Sequence, residues 1–413
     1  MHLILLVLAA TAAVVTANLS VEHLELIRSL PEFQSKSLEE IKDEASATVP
    51  EMIKNNGYLC EEHEVTTEDG YVLTLHRIPN GKRKKNNGKV LFLMHGILSS
   101  SADWIVTGET KGLAYIMADE GYDVWLGNAR GNKYSRNNVK YNPDKDSKFW
   151  EFSWHQIGKI DLPTMIDFVL NTTGVDGVYY AGHSQGTTSF YVMAASRPEY
   201  NDKIKVHVSL APIGFMSHMK SPLMHLMAFW QKPLGMLLKM IGVDEFLPSS
   251  DFLSNVSGSL CNDNSFTQIL CTNALFAVCG FSYKEMNTTL LPVVLGHTPA
   301  GSSTRQFLHY AQEINSGRFR QYDYGMFQNH HVYGRFSPPD YDLSKITSPV
   351  YLLYSRNDWL SAETDVLRLC KMLGNCKGKF LVSDGSFNHL DYLYGLRAPK
   401  LVYNHVISLM SRH

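Results

Sequence analysis

Cysteine is scarce in this chain, with six among 413 residues. That is too few for a small domain held together by disulfides. Charge is also sparse and balanced: 38 Lys and Arg face 40 Asp and Glu, a formal net charge of −2. A nucleic-acid-binding domain would be distinctly basic, so that class is disfavoured. There are no internal repeats and no low-complexity tracts. The 17 histidines are scattered and show no metal-ligand spacing, so no metal and no cofactor is expected. What is present is apolar: 44% of the residues are hydrophobic, which excludes a disordered or collagen-like chain and supplies a large core. At roughly 150 residues per domain, the length fits two or three domains, or one large domain with an insertion.

The only long apolar run is at the start. Leu3–Val15 is interrupted by Thr11 alone, and Val15-Thr16-Ala17 offers small residues for cleavage. The run is too short for a bilayer core of about 30 Å, which needs about 20 residues. It reads as a secretory signal peptide over residues 1–17, although its first residues carry no Lys or Arg. That predicts an extracellular or lysosomal destination. It also gives meaning to the N-x-S/T triplets at Asn171, Asn255 and Asn287, read as glycosylation sites on surface loops. Asn18, at the expected new N-terminus, is the weakest of the four triplets.

Residues 18–45 are polar and read as an N-terminal arm or short pro-segment. Glu61 to Leu75 reads as two strands about the turn Glu68-Asp69-Gly70. Lys82-Arg83-Lys84-Lys85 reads as a solvated hairpin turn. Short apolar runs then alternate with helical stretches: Val90–Met94, Tyr122–Leu126, Val178–Ala181, Val206–Leu210, Val350–Tyr354 and Phe380–Val382. Such alternation indicates an α/β fold with a buried, mostly parallel sheet. It breaks at about Gly214 and resumes near Pro339, with no clear strand between. The expected organisation is a core of residues 46–214 and 340–413, with residues 215–339 inserted as a helical cap and lid. Six methionines crowd Met216–Met240; they read either as the cap's own core or as an apolar wall for an acyl chain.

Gly182-His183-Ser184-Gln185-Gly186 is a G-x-S-x-G segment, directly after a strand run and before a helical stretch through Ala195. That is the context of a nucleophile elbow. The acid and base partners of such a serine follow it in the order Asp or Glu, then His. After Val350–Tyr354 comes Asp358, and after Phe380–Val382 comes His389. Ser184, Asp358 and His389 are therefore the expected triad, with Asp384 and Asp391 as rival acids on the histidine's own loop. An oxyanion hole needs converging N–H groups. Gln185 supplies one, and Ile97, in the loop Met94-His95-Gly96-Ile97-Leu98, the other. His95 is expected to shape that loop and not to carry protons. Cys261 and Cys271 are spaced for a short-loop bridge in the cap, and Cys370 and Cys376 for a second; Cys60 and Cys279 would then be left over.

These segments resemble the acid lipase family, which includes gastric and lysosomal acid lipases; the overall flavour is that of its insect lipase 3-like branch. The likeness runs from about Asp69 to the C-terminus. Beyond the elbow it rests on Leu126-Gly127-Asn128-Ala129-Arg130-Gly131-Asn132, Asp161-Leu162-Pro163, Cys271-Thr272-Asn273-Ala274-Leu275-Phe276, Cys279-Gly280-Phe281, His297-Thr298-Pro299-Ala300-Gly301-Ser302-Ser303 and Asn388-His389-Leu390-Asp391-Tyr392. The resemblance implies an α/β-hydrolase core, a cap with a movable lid, and hydrolysis of triacylglycerols or sterol esters, at a lipid–water interface where needed. It implies the triad and oxyanion donors named above, a Cys261–Cys271 cap disulfide, and Cys279 as a free thiol nearby. Met94 stands where the family usually has glutamine, and Ile97 where it has leucine. The pair Cys370 and Cys376 is outside the vertebrate pattern. Rival readings are a catalytically silent lipid binder on the same fold, or an esterase or peptidase acting on smaller substrates.

Overall fold

Runs of β-branched and aromatic residues build a sheet through the middle of the molecule. The computed structural model describes residues 38–240, 242–247, 278–280, 282, 284–287 and 290–413. The strands are β1 (Glu61–Thr66), β2 (Tyr71–Ile78), β3 (Val90–Met94), β4 (Asp123–Gly127), β5 (Asn137–Asn138), β6 (Val178–His183), β7 (Ile204–Leu210), β8 (Glu245–Phe246), β9 (Ser302–Ser303), β10 (Val350–Tyr354) and β11 (Cys376–Leu381). The main sheet runs β1-β2-β4-β3-β6-β7-β10-β11, with β5 beside β2. Every pair from β4 to β11 is parallel; β1, β2 and β5 are antiparallel additions at one side.

Central strands are covered on both faces, which is why they read as unbroken apolar runs. All five residues of β3 are buried. Phe92 and Met94 face one cluster with Trp125, Tyr180 and the helix Leu162–Thr173. Leu91 and Leu93 face the other, with Leu113, Met117, Val402 and Val406. The outermost strand β11 alternates instead, leaving Lys377 and Lys379 exposed. Charged side chains on a free edge discourage pairing with another chain.

One local expectation is corrected. Lys82–Lys85 does not close a hairpin, because β2 and β3 are not neighbours: β4 lies between them and pairs with both. The basic stretch is instead a crossover pinned by ion pairs. Lys82 meets Glu109, and Arg83 meets Asp119. Lys84 meets Glu120.

Between β7 and β10 lie the helices Pro222–Phe229, Gln231–Met240, Leu291–His297, Thr304–Ser316 and Met326–Tyr333. The two-residue strands β8 and β9 pair with each other, a small departure from the strandless expectation. Met216, Met219 and Met224 are buried in the large cluster that also holds Phe92, Trp125 and Tyr180 of the sheet, so these three belong to the common core and not to a core of the cap alone. Residues 38–45 are not loose: the helix Leu38–Ser46 packs on Leu291–His297. A side chain at Gly296 would come within 2.2 Å of the Ala45 carbonyl oxygen.

Cys370 and Cys376 form a disulfide joining the helix Glu363–Met372 to β11. Cys60 and Cys279 are free. Asn171 is exposed, but it lies in the last turn of the helix Leu162–Thr173 and not in the expected loop; Asn287 is half-buried. The segment 1–17, Asn18, Asn255, and the Cys261–Cys271 pair lie outside the described residues.

Candidate active site

The strand β6 runs two residues beyond its expected end, so Ser184 is the first residue off the sheet. Its backbone sits at φ 51°, ψ −117°, a strained setting for a residue with a side chain. The helix Gln185–Ser196 starts immediately after it. The flanking glycines make the turn possible. A Cβ on Gly186 would lie 2.2 Å from the Met94 oxygen, and one on Gly182 would lie 2.7 Å from the Gly186 carbonyl carbon. Ser184 N–H is held by the Leu210 carbonyl at 3.0 Å.

Ser184 Oγ lies 2.8 Å from His389 Nε2. His389 Nδ1 lies 2.8 Å from Asp358 Oδ2. With Asp358 accepting at Nδ1–H, the imidazole presents an unprotonated Nε2 to the serine hydroxyl. The second carboxyl oxygen of Asp358 accepts the N–H groups of Leu360 at 2.9 Å and Ser361 at 2.7 Å. Asp358 is fully buried, and His389 and Ser184 nearly so. The rival acids are occupied elsewhere. Asp384 takes Ser386 and Arg397. Asp391 accepts the Asn388 N–H at 2.7 Å, and burial pushes its carboxyl up to about 7.

The loop after β3 passes close beneath the serine. A Cβ on Gly96 would lie 3.3 Å from both Ser184 Cβ and His183 Nδ1. Among the described residues no acceptor takes the N–H of Ile97 or of Gln185, which stands at the positive end of its helix. Leu98 has φ 61°, and its carbonyl accepts the Ala300 N–H at 2.7 Å. Both His95 nitrogens are engaged, one within this loop and one by the segment after β4. Nδ1 donates to the Gly96 carbonyl, and Nε2 accepts the Ala129 N–H at 3.1 Å. Burial pushes the His95 imidazole down to about 4, so it is a neutral structural group.

Two supports escaped the reading of the sequence. His183 Nε2 lies 2.8 Å from the His389 carbonyl. Burial, then the neighbouring His389, hold His183 well below the usual histidine range, so it stays neutral and donates. The Gln185 side chain donates to Gln306 at 2.7 Å, and Gln306 donates to Ser302 at 2.7 Å. This ties the elbow to the inserted helix Thr304–Ser316. Cys279 is buried behind the site; its carbonyl accepts the Trp359 N–H, and its thiol is raised by burial and by Asp358.

The chain is similar to known lipases over most of its length. Residues 49–108 match the partial alpha/beta-hydrolase lipase region, and residues 89–396 match the alpha/beta hydrolase fold. Lipase 3 of Drosophila melanogaster is 44% identical over 88% of this chain and 92% of its own length. The gastric triacylglycerol lipase of Rattus norvegicus is 40% identical over 89% and 92%. The human lysosomal acid lipase/cholesteryl ester hydrolase is 36% identical over 90% and 93%. A putative lipase from Sulfolobus solfataricus, 13% identical, superposes with a TM-score of 0.59 over 86% of this chain and 94% of its own, which supports the fold alone. Identity of this extent, over nearly the whole length of both partners, places the chain in the acid lipase family of lipase/esterase-type serine hydrolases.

Proposed function

We propose that Ser184, His389 and Asp358 hydrolyse neutral lipid esters, triacylglycerols or sterol esters, through an acyl-enzyme. The observation that carries this is the continuous hydrogen-bonded line from Ser184 Oγ through His389 to Asp358. His389 Nε2 takes the hydroxyl proton as Ser184 Oγ attacks the ester carbonyl carbon. The N–H groups of Ile97 and Gln185 receive the oxyanion, aided by the helix N-terminus. The tetrahedral intermediate collapses, the bond to the leaving alcohol breaks, and imidazolium His389 protonates that alcohol. Water then gives a proton to His389 and attacks the acyl carbonyl; the second tetrahedral intermediate collapses, the bond from Ser184 Oγ to the acyl carbon breaks, His389 returns the proton to Oγ, and the fatty acid leaves. Asp358 fixes the tautomer and stabilises the imidazolium.

The insertion between β7 and β10 is proposed as a cap over this site. Secretion is supported by the apolar N-terminal run, and a lysosomal destination by the name of the human relative. Exposed Asn171 is a suitable glycan acceptor, with Asn287 and Asn255 as further candidates. Among the described residues no helix is long and apolar enough to cross a membrane, in keeping with action on lipid from the water side.

The test is Ser184→Ala alongside wild type, on triolein, cholesteryl oleate and a short-chain p-nitrophenyl ester between pH 4 and 8. Loss of at least about a thousandfold in rate is expected on every ester the wild type cleaves. An unimpaired Ser184→Ala variant would sink the assignment. A phosphonate that labels wild type and not the variant separates an enzyme from a silent lipid binder.

A further inference from the structure

Beside the proposed oxyanion loop lies a carboxyl group that hydrolysis does not use. Asp103 sits in the short 3-10 helix Ser101–Trp104 that follows the loop. It is buried, 4% exposed, and accepts hydroxyls from three separate parts of the chain. Ser99 Oγ, two residues past Ile97, donates to Oδ2. Thr298 Oγ1, in the inserted region, donates to Oδ1 at 3.2 Å. Tyr394 OH, in the short helix Asp391–Tyr394 that follows His389, donates to Oδ1 at 2.7 Å.

One of the segments it joins is the Ile97 loop, which packs against Ser184; another is the segment that follows His389. Ile97 is followed by Leu98, whose positive φ needs outside support; Ala300, two residues beyond Thr298, supplies it through its N–H. Ala300 in turn accepts the Lys133 N–H at 2.8 Å. The loop, the insertion and the histidine segment therefore converge on one carboxyl group. Among the described residues no cation pairs with it; Tyr394 is the titratable group that faces it, and burial and Asp103 raise that phenol.

We propose that Asp103 is a positioning residue of the hydrolytic site, tying the Ile97 loop to the segment after His389 and to the inserted region. The proposal rests on the hydrolase reading above. The clamp does not need a charge. A protonated carboxyl can donate from Oδ2 to Ser99 while Oδ1 goes on accepting Thr298 and Tyr394, since the serine hydroxyl can turn to accept. Asparagine reproduces that arrangement, with its amide N–H₂ toward Ser99 and its oxygen toward Thr298 and Tyr394. Alanine removes all of it. Errors of about 1 Å between a reacting carbonyl and its oxyanion donors are costly, on the order of a hundredfold.

The experiment measures kcat and KM per active site, with sites counted by a fluorogenic phosphonate, for wild type, Asp103→Ala, Asp103→Asn and Tyr394→Phe. A loss of fold alone would lower the number of titratable sites and leave turnover per site unchanged. The proposal expects Asp103→Ala to lose at least about tenfold in kcat per site with KM within about threefold. Asp103→Asn is expected to stay within about threefold of wild type, and Tyr394→Phe to fall between the two. If Asp103→Ala does not fold, Tyr394→Phe and Thr298→Val carry the test, since each removes one donor and keeps the carboxyl. Turnover per site within about twofold of wild type in folded Asp103→Ala, or in both Tyr394→Phe and Thr298→Val where that variant does not fold, overturns the proposal alone, as does an equal loss in Asp103→Asn and Asp103→Ala. A wild-type protein that takes no label and cleaves no ester overturns the hydrolase reading, and this proposal with it.

Discussion

His183 Nε2 donates a 2.8 Å hydrogen bond to the main-chain carbonyl of His389. The residue before the proposed nucleophile thus holds the backbone of the residue proposed to activate it. Both rings are buried and lie 4.9 Å apart, centre to centre. A second cation beside a protonated His389 would oppose its formation, and burial keeps His183 neutral.

Replacing His183 by phenylalanine leaves the His389 carbonyl without this donor and frees its backbone. The expected result is a loss of about tenfold in kcat, with KM nearly unchanged and a fold less stable by about 1–2 kcal/mol. Steady-state kinetics and thermal unfolding check it. His183→Gln, which retains an N–H donor, should recover most of the loss; equal damage from both substitutions would argue against the tether.

Asp358→Asn keeps the shape of the acid and removes its charge. Loss of the correct tautomer and of imidazolium stabilisation should lower kcat by about ten-thousandfold. The melting temperature is expected to stay close to that of wild type, and KM to change by less than about threefold. Asp384→Asn, by contrast, should leave turnover intact, because its carboxylate is paired with Arg397 and Ser386 and not with His389.

Burial raises Asp103 to about 6 and Asp391 to about 7, against an ordinary value of 3.8. At these two carboxyls the folded state therefore binds more protons than the unfolded one between pH 4 and 7. The stability contributed by these two groups is fully present below about pH 4 and is lost as pH rises through 6 and 7. Asp103→Asn cannot ionise, so its stability relative to wild type should improve between pH 4 and pH 7.5, by on the order of 3 kcal/mol. Urea unfolding of both proteins at the two pH values tests this; a constant difference would contradict it.

Cys370–Cys376 closes a short loop, with a sequence separation of 6. Cys370→Ser with Cys376→Ser should cost about 2 kcal/mol of stability and leave kcat unchanged. Differential scanning calorimetry beside an ester assay would show it. The bond fastens the helix Glu363–Met372 to the outermost strand, away from Ser184.

The central strands were legible in the sequence because burial on both faces makes them continuous apolar runs, as in β3 and β6. The elbow was legible because two glycines at fixed offsets are a steric requirement of that turn. Short strands were not: β5, β8 and β9 hold two residues each and exist only through their partners. Lys82–Lys85 was misread because a basic stretch between two strands looks the same whether those strands are adjacent or separated by a third. Asp103, His183 and Gln306 could not have been singled out either. The contacts that give them their roles reach 291, 206 and 121 residues along the chain, so even the elbow pattern around His183 does not announce them.

That span has a consequence for the order in which the enzyme comes into being. Ser184 is separated from His389 by 205 residues, and Asp358 also lies beyond the insertion. A chain growing from its N-terminus completes β6 and the turn after it long before β10 and β11 exist. Until β10 has docked, the serine lacks its proposed acid, and until β11 has docked it lacks its proposed base. On the proposed triad, an unfinished chain would be silent toward esters, and hydrolytic competence would wait for the last part of the chain.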